Sequence, residues 1–187
     1  MIDFDTVELS NFGPFKEARY SLDNKGLVQV KGVNKSDKGS DSNGAGKSSL
    51  LEAIVWCLFG KTAKGLNKTD VIRKGSSVCE VRVRFTKGDE RFFLFRKRGK
   101  EEKVFIAATK DKDEDSRHAT WVDMTLGTLA LNQKLIEKII GCDYEVFCES
   151  VYIGQENLPN IPAMTDRQIK DLLENASGIT ELDKVSE

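Results

Sequence analysis

Apolar and polar residues alternate through the first thirty positions. Thr6 to Leu9, Glu17 to Leu22 and Leu27 to Val30 read as three strands. They are separated by turn residues at Asn11-Phe12-Gly13-Pro14-Phe15 and Asp23-Asn24-Lys25-Gly26. The period then changes. Leu51, Ile54, Val55 and Leu58 stand at i, i+3, i+4 and i+7, predicting a helix with one apolar face that ends at Gly60. Residues 61 to 77 are irregular and polar, and a β-rich section occupies 78–108. Its strands are Cys79 to Phe85, Arg91 to Arg96 and Lys103 to Ala107, with Lys87-Gly88-Asp89 as a hairpin turn. Lys110 to Arg117 is a mixed-charge loop. Helical spacing returns at Leu131, Leu135, Ile136 and Ile139, closing at Gly141. A short helix from Asp143 leads into a short apolar strand that finishes at Gly154-Gln155. Thr165-Asp166-Arg167-Gln168 is a capping box for a last helix with Ile169, Leu172, Leu173 and Ala176 on one face.

The most specific chemistry lies between the third strand and the first helix, in Asn43-Gly44-Ala45-Gly46-Lys47-Ser48-Ser49. Strand, Gly-rich turn, Lys-Ser and helix is the setting of a phosphate-binding loop. Backbone N–H groups of such a turn converge on phosphate oxygens, and the helix adds the positive end of its dipole. Lys47 can reach the β- and γ-phosphates of a nucleoside triphosphate, and the Ser48 hydroxyl can ligate Mg²⁺. Gly44 and Gly46 let the backbone come close. Asp41 stands where the usual first Gly belongs, but deleting Asn34 through Ser42 restores Gly32-Val33-Asn43-Gly44-Ala45-Gly46-Lys47-Ser48, a complete pattern. The loop therefore reads as an ordinary one carrying a polar insertion at 34–42 that bulges outward. Gln155, at a strand end, can present a carboxamide oxygen to Mg²⁺ or orient a water.

Composition narrows the class. The chain has 187 residues, 39% apolar and 32% charged, which describes one soluble globular domain. Twenty-nine basic against thirty acidic residues give no global attraction to nucleic acid. On Cys79 to Phe85, Val81, Val83 and Phe85 alternate with Arg82 and Arg84, and Arg96, Lys97, Arg98, Lys100 and Lys103 extend the positive charge. Such a face can track a DNA backbone, but a solvated, salt-bridged strand face is the favoured reading. Cys57, Cys79, Cys142 and Cys148 lack CxxC spacing, and the lone His118 completes no zinc set. This usage suits a reducing cytoplasm, with Cys57 as a buried thiol in an apolar helix. No signal peptide or apolar run of membrane-spanning length is present, so no membrane partner is expected.

Together these residues resemble the N-terminal lobe of the SbcC family, SMC-like ATPases of DNA double-strand-break processing within the ABC-type superfamily. The resemblance is carried by Val7 to Phe15, Asn43 to Ser49, Leu51-Glu52-Ala53-Ile54, Leu58-Phe59-Gly60-Lys61, Asp70 to Gly75 with the strand to Phe85, Phe147 to Gln155, and Arg167 to Gly178. It implies an α/β P-loop NTPase fold, an ABC-type ATPase head lobe with an antiparallel β-subdomain and flanking helices, over 1–179. Residues 180–187 would begin a coiled coil. ATP and Mg²⁺ are the implied cofactors: Asn43 to Ser49 would hold the nucleotide, Ser48 and Gln155 the metal, with Lys47 and Gln155 catalytic. The implied partners are a C-terminal lobe of the same protein, a second head joining in an ATP-dependent homodimer, an SbcD-type nuclease and double-stranded DNA. Gly13 departs from relatives that carry Arg there.

No run of four apolar residues precedes Asp-Glu, and no Ser-Gly-Gly signature occurs. In the resembled family these elements lie beyond a long coiled coil, so the chain is read as an N-terminal fragment that alone hydrolyses ATP negligibly. Two other readings stand beside this one: an SMC-like ATPase of chromosome organisation or phage defence without a nuclease, and a stand-alone P-loop kinase. The kinase leaves the Gln155 segment and the terminal helix unexplained.

Overall fold

Alternating apolar and polar residues become a six-stranded antiparallel sheet, in the order β2-β1-β3-β4-β5-β6. The computed structural model describes residues 2–23, 26–31, 46–64, 70–111, 120–152, 165–167 and 169–170. The strands are β1 (Ile2–Phe12), β2 (Phe15–Ser21), β3 (Cys79–Lys87), β4 (Glu90–Arg98), β5 (Glu102–Thr109) and β6 (Val122–Asp123). Val7 and Leu9 of β1 stand opposite Val83 and Val81 of β3, and Val83 in turn opposes Leu94 of β4. These residues line the buried face, as the alternation predicts. Gly88, at φ 62°, closes the β3–β4 hairpin, where an L side chain would be strained. The segment after the first helix rejoins the sheet at the end of β1: Gly13 N–H donates to Val71 O (2.8 Å) and Arg73 N–H to Asn11 O (2.8 Å).

Helix α1 (Lys47–Phe59) crosses β1, β3 and β4, with α2 (Leu129–Ile140) beside it and over β5. α3 (Tyr144–Ser150) places Phe147 against Phe4 of β1 and Phe59 of α1, at centroid distances of 6.4 and 5.2 Å. The sheet-and-helix class expected from the sequence is thus present. So are the three strands of the β-rich section, each two or three residues longer than predicted, and the ends of both long helices at Gly60 and Gly141.

Four expectations are corrected. Leu27 to Val30 forms no strand and is exposed, Leu27 completely. A four-residue apolar run holds strand geometry only against a ladder partner, and none pairs with it among the described residues. Helix α1 does not have one apolar face. Every residue from Leu50 to Phe59 is buried except Leu51, 42% exposed, because the sheet and the other helices enclose it. Leu51 instead lines an apolar groove of about 520 Å³ with Phe4, Leu22 and Val151. On α2, Leu131 is 49% exposed, and the buried positions are Asn132, Ile136 and Ile140. Asn132 faces inward because its carboxamide accepts from Leu126 N–H (2.7 Å) and donates to Leu126 O (3.0 Å), satisfying the loop before the helix. Finally, the short helix expected from Asp143 is present, its cap accepting from Val146 N–H at 2.9 Å, but Val151 and Tyr152 do not begin a strand, because both N–H groups turn back to Phe147 O (2.9 Å).

The basic strand face divides by parity. Arg82 and Lys97 point outward and share Glu80, at 2.9 and 3.1 Å, as the salt-bridged reading expects. Arg96 does not join them. It follows Phe92 and Leu94 on the core face and is 4% exposed. There its guanidinium donates to Cys57 O (2.8 Å) and Leu58 O (3.1 Å) at the end of α1, to Gln133 Oε1 of α2 (2.9 Å) and to Glu102 Oε1 of β5 (2.6 Å). Glu102 also holds Arg98. Replacing Arg96 by Ala should cost about 3–5 kcal/mol, because it strands the Glu102 carboxylate and the helix carbonyls. Urea unfolding checks this. Arg96→Lys should recover less than half, since a single ammonium cannot meet four acceptors in one plane.

Candidate phosphate-binding site

Gly46 is where α1 begins. It is the helix N-cap, in left-handed conformation at φ 83°, and Lys47 opens the first helical turn. A Cβ at Gly46 would lie 2.8 Å from Pro14 Cγ and 3.0 Å from Phe15 Cζ, so the β1–β2 turn packs directly on this glycine. Only Gly satisfies both the backbone angle and the space. The same turn sets Gly13 over Ser49, with 3.7 Å between a built Cβ and the Ser49 side chain. Residues 11–15 and 46–49, read separately in the sequence, thus form one wall.

The helix end is chemically prepared for an anion. Among the described residues no side chain caps it, and no acidic residue sits in its first turn. The N–H groups of that turn and the positive pole are therefore not neutralised by a carboxylate of α1 itself. Ser48 is exposed, Lys47 and Ser49 partly so. At the opposite end Arg96 donates to the last carbonyls of α1 and neutralises the negative pole. Asn43, Gly44, Ala45, the insertion at 34–42 and Gln155 lie outside the described residues, as do Leu172, Leu173, Ala176 and 180–187. Of the residues assigned to nucleotide or metal, the structure brings together Gly46, Lys47, Ser48 and Ser49.

Sequence reading missed Glu52. It is a carboxylate on the second turn of α1, 3% exposed among apolar neighbours. One oxygen accepts from Ala63 N–H (2.8 Å), just after the helix, and the other from the Tyr152 hydroxyl (2.8 Å), after α3. A buried charge is tolerated only when so partnered. The signal was present: Glu52 is the one charged residue from Leu50 to Phe59. Tyr152 precedes Gln155 by three residues, so Glu52 anchors the approach to that position onto the phosphate-side helix. Cys57, farther along α1, plays no part in chemistry. Burial pushes its thiol up to about 12, and it contacts the carbonyls of Val81 and Leu94. All four cysteines are free.

The sequence profile of the AAA domain family matches residues 6–187. The chain belongs to that family. The DNA double-strand break repair Rad50 ATPase of Methanococcus maripaludis is 25% identical over 183 residues, covering 97% of this chain and 16% of that protein. The SbcC component of nuclease SbcCD from Deinococcus radiodurans is 28% identical over 138 residues, covering 73% of this chain and 15% of its own. Exonuclease subunit 2 of Escherichia phage RB69 is 28% identical over 151 residues, covering 77% of this chain and 24% of its own. The chain thus spans a quarter or less of the length of these curated relatives. The resemblance to the SbcC ATPase lobe is borne out, and the AAA domain takes here the form of an antiparallel sheet with α1 packed across it.

Two substitutions test the wall and the anchor. Gly46→Ala should destabilise the AAA domain by about 1–3 kcal/mol, through the left-handed backbone and the contact with Pro14. Tyr152→Phe should cost about 1–3 kcal/mol by leaving one Glu52 oxygen without its donor. Thermal denaturation measures both; an unchanged midpoint for Tyr152→Phe would mean that the Glu52–Tyr152 bond does not form in solution.

Proposed function

We propose that this chain is the ATP-binding lobe of an SMC-like ATPase acting in DNA double-strand-break processing. The observation that carries the reading is the left-handed Gly46 start of a helix whose first turn holds no acidic residue, with Lys47 and Ser48 at its tip. An anion cradle built this way fits a phosphate chain. Residues Asn43 to Ser49 supply backbone contacts, and Lys47 neutralises charge on the β- and γ-phosphates. Ser48 and Gln155 are the metal ligands. When bound, Mg²⁺ shields the phosphate oxygens and draws charge from the transferring group. The relatives' names support a role in DNA breaks.

The lobe occupies 1–179, and 180–187 opens a coiled coil. A C-terminal lobe of the same protein supplies the acidic metal ligand and base, since no apolar run followed by Asp-Glu occurs in this sequence. ATP draws two such heads into a homodimer, which gates an SbcD-type nuclease on double-stranded DNA ends in the cytoplasm. Closure is then a population shift driven by nucleotide and reversed by hydrolysis. Among the described residues no helix is long and apolar enough to cross a membrane.

The chain alone should bind ATP weakly and hydrolyse it negligibly, with activity appearing on mixing with the C-terminal lobe. Lys47→Ala and Gln155→Ala should each lower the reconstituted rate roughly 100-fold or more. Substantial hydrolysis by the isolated chain would overturn the reading in favour of a self-sufficient kinase-like enzyme.

A further inference from the structure

The sheet face turned away from α1 is not the polar surface that an antiparallel sheet usually shows to water. In the register of β3, β4 and β5, Arg82 faces Phe95, Arg84 faces Phe93, and Phe95 faces Phe105. The Arg82 guanidinium lies 5.1 Å from the centre of the Phe95 ring, and that of Arg84 lies 5.8 Å from Phe93. Phe93 also meets Phe105 and Trp121 edge-on, at 6.2 and 6.3 Å. Four rings from three neighbouring segments therefore form one cluster outside the core, with Phe105 36% exposed and the other three half-buried. Arg91, Lys97 and Lys103 continue the same outward rows. The nearby carboxylates stand around the rings rather than among them, Asp5 of β1 accepting from the Thr86 hydroxyl (3.0 Å) on the Arg91 side. Glu80 engages Arg82 and Lys97, Glu8 of β1 engages Arg19, and Glu101 reaches Lys103. Asp123 of β6 accepts from Thr125 N–H. Arg84, at the centre, pairs with no carboxylate among the described residues.

Aromatic faces interleaved with cations are what a strand of unpaired bases recognises: rings stack on bases, and Arg and Lys follow the phosphates. A duplex hides its base faces and would use only the cations. Protein interfaces also gather rings and Arg but are depleted in Lys, whereas here Lys97 and Lys103 continue the rows of the rings. We propose that the outer face of β3–β5, with Trp121, is a stacking platform for single-stranded DNA. For the class of ligand this rests on the DNA-processing reading above; the site itself is separate from the phosphate loop, on the other side of the sheet.

The test uses the whole chain, oligothymidine at low salt, and Trp121 as reporter, since Trp56 is buried in the core. Oligothymidine should quench Trp121 fluorescence and bind more tightly than a duplex of equal length. Phe93→Ala and Phe105→Ala should each weaken binding about tenfold. Arg84→Gln should flatten the logarithmic salt dependence by about 0.7. Should Phe93→Ala fail to fold, Phe105 and Arg84 decide alone, their fold checked by thermal melting. Absence of quenching, equal affinity for duplex, or aromatic variants that bind as the parent does would each overturn the platform. Lys47→Ala should bind oligothymidine unchanged. If reconstituted hydrolysis fails while stacking persists, the ATPase reading falls and the platform stands; hydrolysis without oligonucleotide binding has the opposite meaning.

Discussion

The fold depends on one buried guanidinium. Arg96 lies on the core face of β4, where an unpaired charge would cost more than the domain can supply. Its partners come from three directions: the last carbonyls of α1, Gln133 of α2 and Glu102 of β5. Each satisfies a group that burial would otherwise strand, so the hydrogen bonds support one another in a low-dielectric setting. Gly60 is part of the same arrangement. A Cβ there would lie 2.7 Å from Arg96 Nη1, so the glycine that ends α1 also lets the arginine close over it. Helix, sheet and second helix are thereby fixed at a common point.

That point gives α1 its polarity. The cation neutralises the carbonyl end of the helix, and the apolar cage from Leu50 to Phe59 immobilises the shaft. At the amino end the hairpin turn at Gly13 to Phe15 leans on Gly46 and Ser49. A phosphate site needs fixed donors more than it needs many of them, because donors already oriented lose little freedom on binding. The rigid part of this site is supplied by packing remote from it.

Much of this could be read from the residues. Period-two alternation named β3, β4 and β5; the Gly-rich turn with Lys47 and Ser48 named the candidate anion site; Gly60 and Gly141 named the helix ends. Where reading failed, the missing information was what covers each face. Leu51 and Leu131 have helical spacing, but spacing does not say how many neighbours surround the helix. Leu27 to Val30 is mostly apolar, but a strand exists only against a partner. Arg96 is instructive in another way: its parity with Phe92 and Leu94 already placed it inward, and treating it as one more member of a basic run overrode that signal. Glu52 likewise announced itself by being charged in an apolar run. Its partners, Ala63 and Tyr152, could not be guessed from spacing.

The Glu52–Tyr152 bond joins residues one hundred positions apart in the chain. Between them lies the whole β3–β4–β5 meander, whose hairpins are local and quick to form. A contact that closes so long a loop pays its entropy before it gains anything, so it is expected to form after the meander has condensed. During synthesis α1 emerges early, yet its buried carboxylate has to wait for residue 152. The candidate site is therefore written near the start of the chain and finished late in its folding.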